Sequence, residues 1–103
     1  MTKKGEIMVV FECKKIKFYS EIDELSFFER IKKISSVEKY EGKGSSIFIS
    51  IKSNKISKDD LLEVIALFMR FRINMKQLNI FLNDKNNIWF KSKKMYWYKK
   101  IFM

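Results

Sequence analysis

The chain of 103 residues has no histidine, no proline, one cysteine, three glycines and three arginines. Without histidine it lacks the commonest general base and the commonest metal ligand. Cys13, being alone, excludes an internal disulfide and a cysteine-built zinc site, and leaves the cytosol as the default compartment. Two of the glycines form Gly42-x-Gly44, which lacks the spacing and following helix of a phosphate loop and so predicts a turn. No apolar run approaches the roughly 20 residues that cross a bilayer. The start, Met1 to Glu6, leads into only five largely apolar residues before Glu12, too few for a secretory core. The expectation is therefore a cytoplasmic protein that does not engage a membrane.

What is present is charge and aromatic surface. Hydrophobic residues make up 47%, too many for a disordered chain, and the length suits a single domain, residues 1–103. The net charge is +10 and is unevenly placed. Through Glu63 there are 13 basic and 11 acidic side chains; from Val64 onward, nine basic groups face only Asp84. That second stretch also carries Trp89, Tyr96, Trp97 and Tyr98. A basic field and exposed aromatics suit an acidic partner. Yet the charge is 19 lysines against Arg30, Arg70 and Arg72, and arginine supplies the forks that read bases and phosphates. Two sources of the excess stay open, codon bias in an AT-rich genome and selection for binding.

Along the chain, Ile7, Val9 and Phe11 alternate with Met8 and Val10, and Ile16 and Phe18 continue one face. This predicts one long strand over 7–19 or two short ones broken near residue 14. Asp23 as N-cap, with Ile22 and Phe27 as a hydrophobic staple, predicts a helix over about 24–34. Val37–Tyr40 and Ile47–Ile51 flank the two glycines and predict a hairpin. Ser57 and Asp60 form a capping box, with Ile56 and Leu61 as staple, for a helix from Lys58 to Ile73 that is apolar around most of its circumference. Asn74 and Gln77 repeat that grammar for a short helix, and residues 83–87 read as a loop. A helix over 93–102 would turn Met95, Trp97, Tyr98, Ile101 and Phe102 inward and Lys93, Tyr96, Lys99 and Lys100 outward. The predicted fold is α+β: a small, mainly antiparallel sheet of three or four strands packed on a buried central helix, with short C-terminal helices.

Catalytic constellations are missing from this pattern. Cys13 lies in an apolar strand without a histidine to activate it. Asp59 and Asp60 sit at a helix start, where negative charge offsets the macrodipole. No nucleophile stands beside a base, so the expectation is a non-enzyme without a cofactor or metal. Arg72 projects into the apolar arc of the helix ending near Ile73, where it either snorkels outward or pairs with a carboxylate of this chain or of a partner. The expected contact surface comprises Lys93, Tyr96, Lys99 and Lys100, with Arg72 beside them. A small basic RNA- or DNA-binding domain is the alternative, with lysines for phosphate and aromatics for stacking.

Several runs between Phe18 and Phe102 resemble small bacterial immunity proteins of contact-dependent growth inhibition. They are Phe18-Tyr19-Ser20-Glu21, Asp23-Glu24, Phe27-Phe28, Ala66-Leu67-Phe68, Met75-Lys76-Gln77-Leu78, Trp89-Phe90 and Tyr96-Trp97-Tyr98-Lys99. The resemblance implies a cytosolic protein with no activity of its own. Such a protein binds the C-terminal domain of one cognate toxin, often a nuclease, and covers its active or substrate-binding surface. One property departs from the pattern: nuclease inhibitors are usually acidic, whereas this chain is basic. Glu21, Asp23 and Glu24 form its one acidic cluster, a local face of the usual sign.

Overall fold

Val9, Phe11 and Cys13 alternate with Val10 and Glu12, and this period of two builds β1 (Val9–Lys14), its odd positions buried. The structure, a computed structural model, describes residues 7–103; residues 1–6, the start read above as too weak for a secretory signal, lie outside the described part. β1 stops because Lys15 turns to φ 47°, so Ile16 and Phe18 leave the strand and pack individually against the core. β2 (Val37–Lys43) and β3 (Ser46–Ile51) form the hairpin, joined by Gly44 and Ser45. Gly44 takes φ +60°, the left-handed conformation that a two-residue hairpin turn needs at its first position. The sheet is antiparallel in the order β1-β3-β2, with Phe11 opposite Ile49 and Tyr40 opposite Ile49 from the other side.

The first helix differs from expectation. α1 spans Glu21–Lys33 and its N-cap is Ser20, whose hydroxyl accepts from the Asp23 N–H at 3.2 Å. Asp23, expected as the cap, instead accepts from the Tyr19 N–H at 3.0 Å. Starting the helix three residues earlier leaves Ile22 76% exposed, so it cannot staple to the buried Phe27. Phe28 reaches the sheet at Tyr40, with ring centroids 5.3 Å apart.

α2 spans Lys58–Arg70, with Ser57 as N-cap accepting from the Asp60 N–H. It buries Leu61, Val64, Ile65, Leu67 and Phe68 and exposes only Lys58, Asp59, Glu63 and Arg70. It ends short of Ile73. Arg72 adopts φ 57°, its N–H bonds to Met69 O, and the Ile73 N–H returns to Phe68 O at 2.9 Å. This is a Schellman ending with arginine where glycine is usual.

The segment after Asn74 is a 3-10 helix, Met75–Phe81, with Asn74 accepting from Lys76 rather than from Gln77. The loop read over 83–87 gives way at Asn87 to α3 (Asn87–Phe90). The expected helix over 93–102 is shorter, forming only α4 (Tyr98–Phe102), with irregular turns before it. Phe11 joins the layers, meeting Phe68 of α2 and Phe81 of the 3-10 helix edge-on, each at 5.5 Å. Removing such a buried ring costs about 3–5 kcal/mol. The fold is α+β: a three-stranded antiparallel sheet with several short helices, α2 and the 3-10 helix meeting it at Phe11. The other sheet face leaves Val10 56% exposed.

Candidate functional site

The C-terminal aromatics divide between core and surface. Phe90, Trp97 and Ile101 are buried, and the Trp97 indole N–H donates to the Phe90 carbonyl at 2.7 Å. Phe102 packs on Phe90 at 5.0 Å, and Trp89 meets Trp97 edge-on at 6.2 Å. This layer holds the backbone from which Lys93, Tyr96, Lys99 and Lys100 project, all four exposed. Tyr96 rests its ring 5.0 Å from that of Trp97, and partial burial pushes its phenol above the ordinary value. The inward and outward sets follow the helical projection although most of the segment is not helical.

Arg72 does not occupy the apolar arc. It lies one residue past the helix cap, where the left-handed backbone turns it out to solvent. With Lys76 and Lys100 it lines a shallow depression of about 460 Å³ floored by Phe68, Met69 and Ile73. Two of the expected contact residues, Arg72 and Lys100, thus meet; Lys93, Tyr96 and Lys99 lie outside this depression.

A second depression of about 320 Å³ on the other side of Arg72 was not anticipated. It brings Lys14, Lys15 and Lys17 beside Arg70 and Arg72, with Tyr19 and Asp23 at its rim. Each basic cluster is visible in the sequence, but their meeting depends on how β1 ends against the end of α2. The exposed side of α1 was also missed: Ile22 is 76% and Leu25 64% exposed, beside Glu21 and Glu24. A helical projection places both opposite Phe27 and Ile31, so that exposure was readable in advance.

Among the described residues, the ion pairs are Glu29–Lys32 at 3.6 Å and Glu41–Lys43 at 3.7 Å. None of the cations around Arg72 or along the C-terminal segment is paired there. Cys13 is fully buried, and burial, reinforced by the Glu12 charge, pushes its thiol up to about 12. It therefore stays protonated at neutral pH, unlike the thiolate that nucleophilic chemistry uses. No group of three or more His, Cys, Asp or Glu gathers into a cation site among the described residues. None of the described helices is long and apolar enough to cross a membrane.

Fold and surface define a small α+β domain whose exposed chemistry is dominated by cations without an ion-pair partner among the described residues. Set against known protein families, curated proteins and solved structures, the chain matches none of them.

Proposed function

We propose that the protein is an immunity-type binding protein, without catalytic activity of its own, that neutralises a cognate toxin domain by covering the toxin's active or substrate-binding surface. The observation that carries this reading is the exposed set Lys93, Tyr96, Lys99 and Lys100, held on a packed aromatic layer, with Arg72 meeting Lys100 from the end of α2, and all lacking carboxylate partners among the described residues. Cations left unpaired on a rigid support attract an acidic surface and set its orientation. Exposed lysines add little affinity each, so Tyr96 and Arg72, of the residue types that dominate interface energetics, serve as anchors. The resemblance to contact-dependent growth inhibition immunity proteins supplies the toxin class, a nuclease in the usual case. Binding then occurs at an acidic toxin patch, in the cytoplasm, without a cofactor.

The test is capture of the polypeptide encoded immediately upstream by the tagged protein, with protection of cells that express it. Wild-type protein is expected to form a one-to-one complex that survives moderate salt. Reversing Lys93, Lys99 and Lys100 to Glu is expected to weaken it about tenfold or more while leaving the melting temperature nearly unchanged. Unaltered affinity moves the contact to the acidic, apolar start of α1, where Ile22→Ser with Leu25→Ser becomes the disruptive pair. Capture of nucleic acid alone, lost as salt rises, replaces this reading with the RNA- or DNA-binding one.

A further inference from the structure

Two stretches of chain, far apart in sequence, converge on the depression beside Arg72. β1 contributes Lys14 at its last position, the bend after it contributes Lys15 and Lys17, and the end of α2 contributes Arg70 and Arg72. Five cations therefore line a concavity of about 320 Å³ that holds one carboxylate, Asp23. Asp23 is already engaged, accepting from the Tyr19 N–H at 3.0 Å, and none of the five cations has an ion-pair partner among the described residues. Lys17 lies over the Tyr19 ring at 5.2 Å, which orients it without neutralising it.

Local structural needs explain little of this grouping. A basic residue in the last turn of a helix complements the macrodipole, and that accounts for Arg70 alone. Arg72 and Lys15 run against local preference. They are the two non-glycine residues of positive φ among those described, and both line this depression. An L-residue in the left-handed region is strained by its Cβ, a strain that glycine would avoid. The chain has three arginines among its 22 basic residues, and two of them stand here. A guanidinium pair offers the planar, forked donors that grip phosphate oxygens, and lysines add point charges around them.

We propose that this depression binds phosphate oxyanions, as a ligand bearing several linked phosphate groups. Five cations against one carboxylate leave four positive charges in a concavity, which linked phosphates neutralise more compactly than peptide carboxylates carrying one charge each. Either a free polyphosphate or the phosphodiester backbone of a nucleic-acid strand presents this chemistry. The proposal does not depend on a toxin partner, and of the expected contact residues only Arg72 lies in the depression.

The test is an amide NMR titration of the full-length protein with sodium tripolyphosphate and, separately, with a short single-stranded RNA. Saturable shifts are expected at residues 14–17 and 70–72. The Lys14→Gln, Lys17→Gln, Arg70→Gln variant is expected to bind tripolyphosphate about tenfold more weakly or worse. Its melting temperature is expected to stay level or rise, because like charges are removed; the single Arg70→Gln variant gives the same readout with less perturbation. The Lys93→Glu, Lys99→Glu, Lys100→Glu variant should keep the response, which separates this site from the toxin contact. Affinity that grows with RNA length identifies a strand as the source, and tighter binding of tripolyphosphate identifies a free polyphosphate. Absence of saturation, or shifts of equal size at residues 93–100, overturns the proposal in favour of diffuse charge attraction. Equal affinity for an aspartate-rich peptide overturns it in favour of a carboxylate-binding surface.

Discussion

Asp60 stands at the third position of α2 but bonds outside its own helix. Its carboxylate accepts from the Ser36 N–H at 2.9 Å, from the Ser35 hydroxyl at 2.8 Å and from the Ser36 hydroxyl. Burial acts to raise its pKa; the hydrogen bonds from Ser36 and Ser35 and the Lys52 charge outweigh that and hold the carboxyl below its ordinary value of 3.8. A folded-state pKa below the unfolded one means stability that is present above the unfolded value and lost as pH falls through the folded one. Asp60→Asn is expected to lower stability at neutral pH by about 1 kcal/mol, because solvent screening of this largely exposed carboxylate brings its charged hydrogen bonds below their usual strength. The gap from wild type should narrow in denaturant titrations as the pH falls below about 4. A gap that stays constant into acid would show that the charge of Asp60 contributes nothing. The Ser57–Asp60 spacing was readable as a helix start, but the partners of Asp60 come from the turn before β2 and have no local signature.

At the scale of elements, one side chain caps the unpaired edge of β1 at Glu12. The Gln77 Oε1 accepts from the Glu12 N–H at 2.9 Å, and its Nε2 donates to the Glu12 carbonyl at 3.0 Å. The same Nε2 donates to the Asn74 carbonyl at 3.1 Å, so one amide ties the 3-10 helix to the sheet. Gln77→Ala leaves both Glu12 backbone groups without that partner and is expected to cost about 1–3 kcal/mol. Hydrogen exchange of the Glu12 amide should accelerate beyond that of Phe11, which faces β3; equal acceleration of both would point to general loosening of the sheet. The opposite edge, β2, is exposed and carries Glu38, Lys39, Glu41 and Lys43, charges that discourage pairing with another chain. Sequence periodicity located β1 and α2, because each has a buried face with its own repeat, while the glycine pair located the hairpin, whose β2 strand buries no residue. It failed between Lys91 and Trp97, where buried and exposed residues alternate as a helix would place them but the backbone turns irregularly.

For the whole molecule, a charge of +10 with two ion pairs among the described residues means net self-repulsion in the folded state. Salt screens exposed charges over about 10 Å at 0.1 M. The melting temperature is therefore expected to rise by a few degrees between about 0.02 M and 0.3 M sodium chloride. A fall would show that attractive pairs outweigh the repulsion. Sodium tripolyphosphate should raise it further at equal ionic strength if the depression beside Arg72 takes up the anion.

Sequence by itself determined the fold class, the hairpin turn at Gly44, the start of α2 at Ser57 and the outward direction of Lys93, Tyr96, Lys99 and Lys100. Each depends on local periodicity or on groups within a few residues, which sequence displays directly. Tertiary structure decided which residues became neighbours. Arg72 leaves the apolar arc because the helix ends two residues before it, and Lys14, Lys15 and Lys17 reach Arg70 and Arg72 because β1 and α2 end at the same corner. Convergence of this kind joins segments more than 50 residues apart, a distance over which no local repeat or cap carries information.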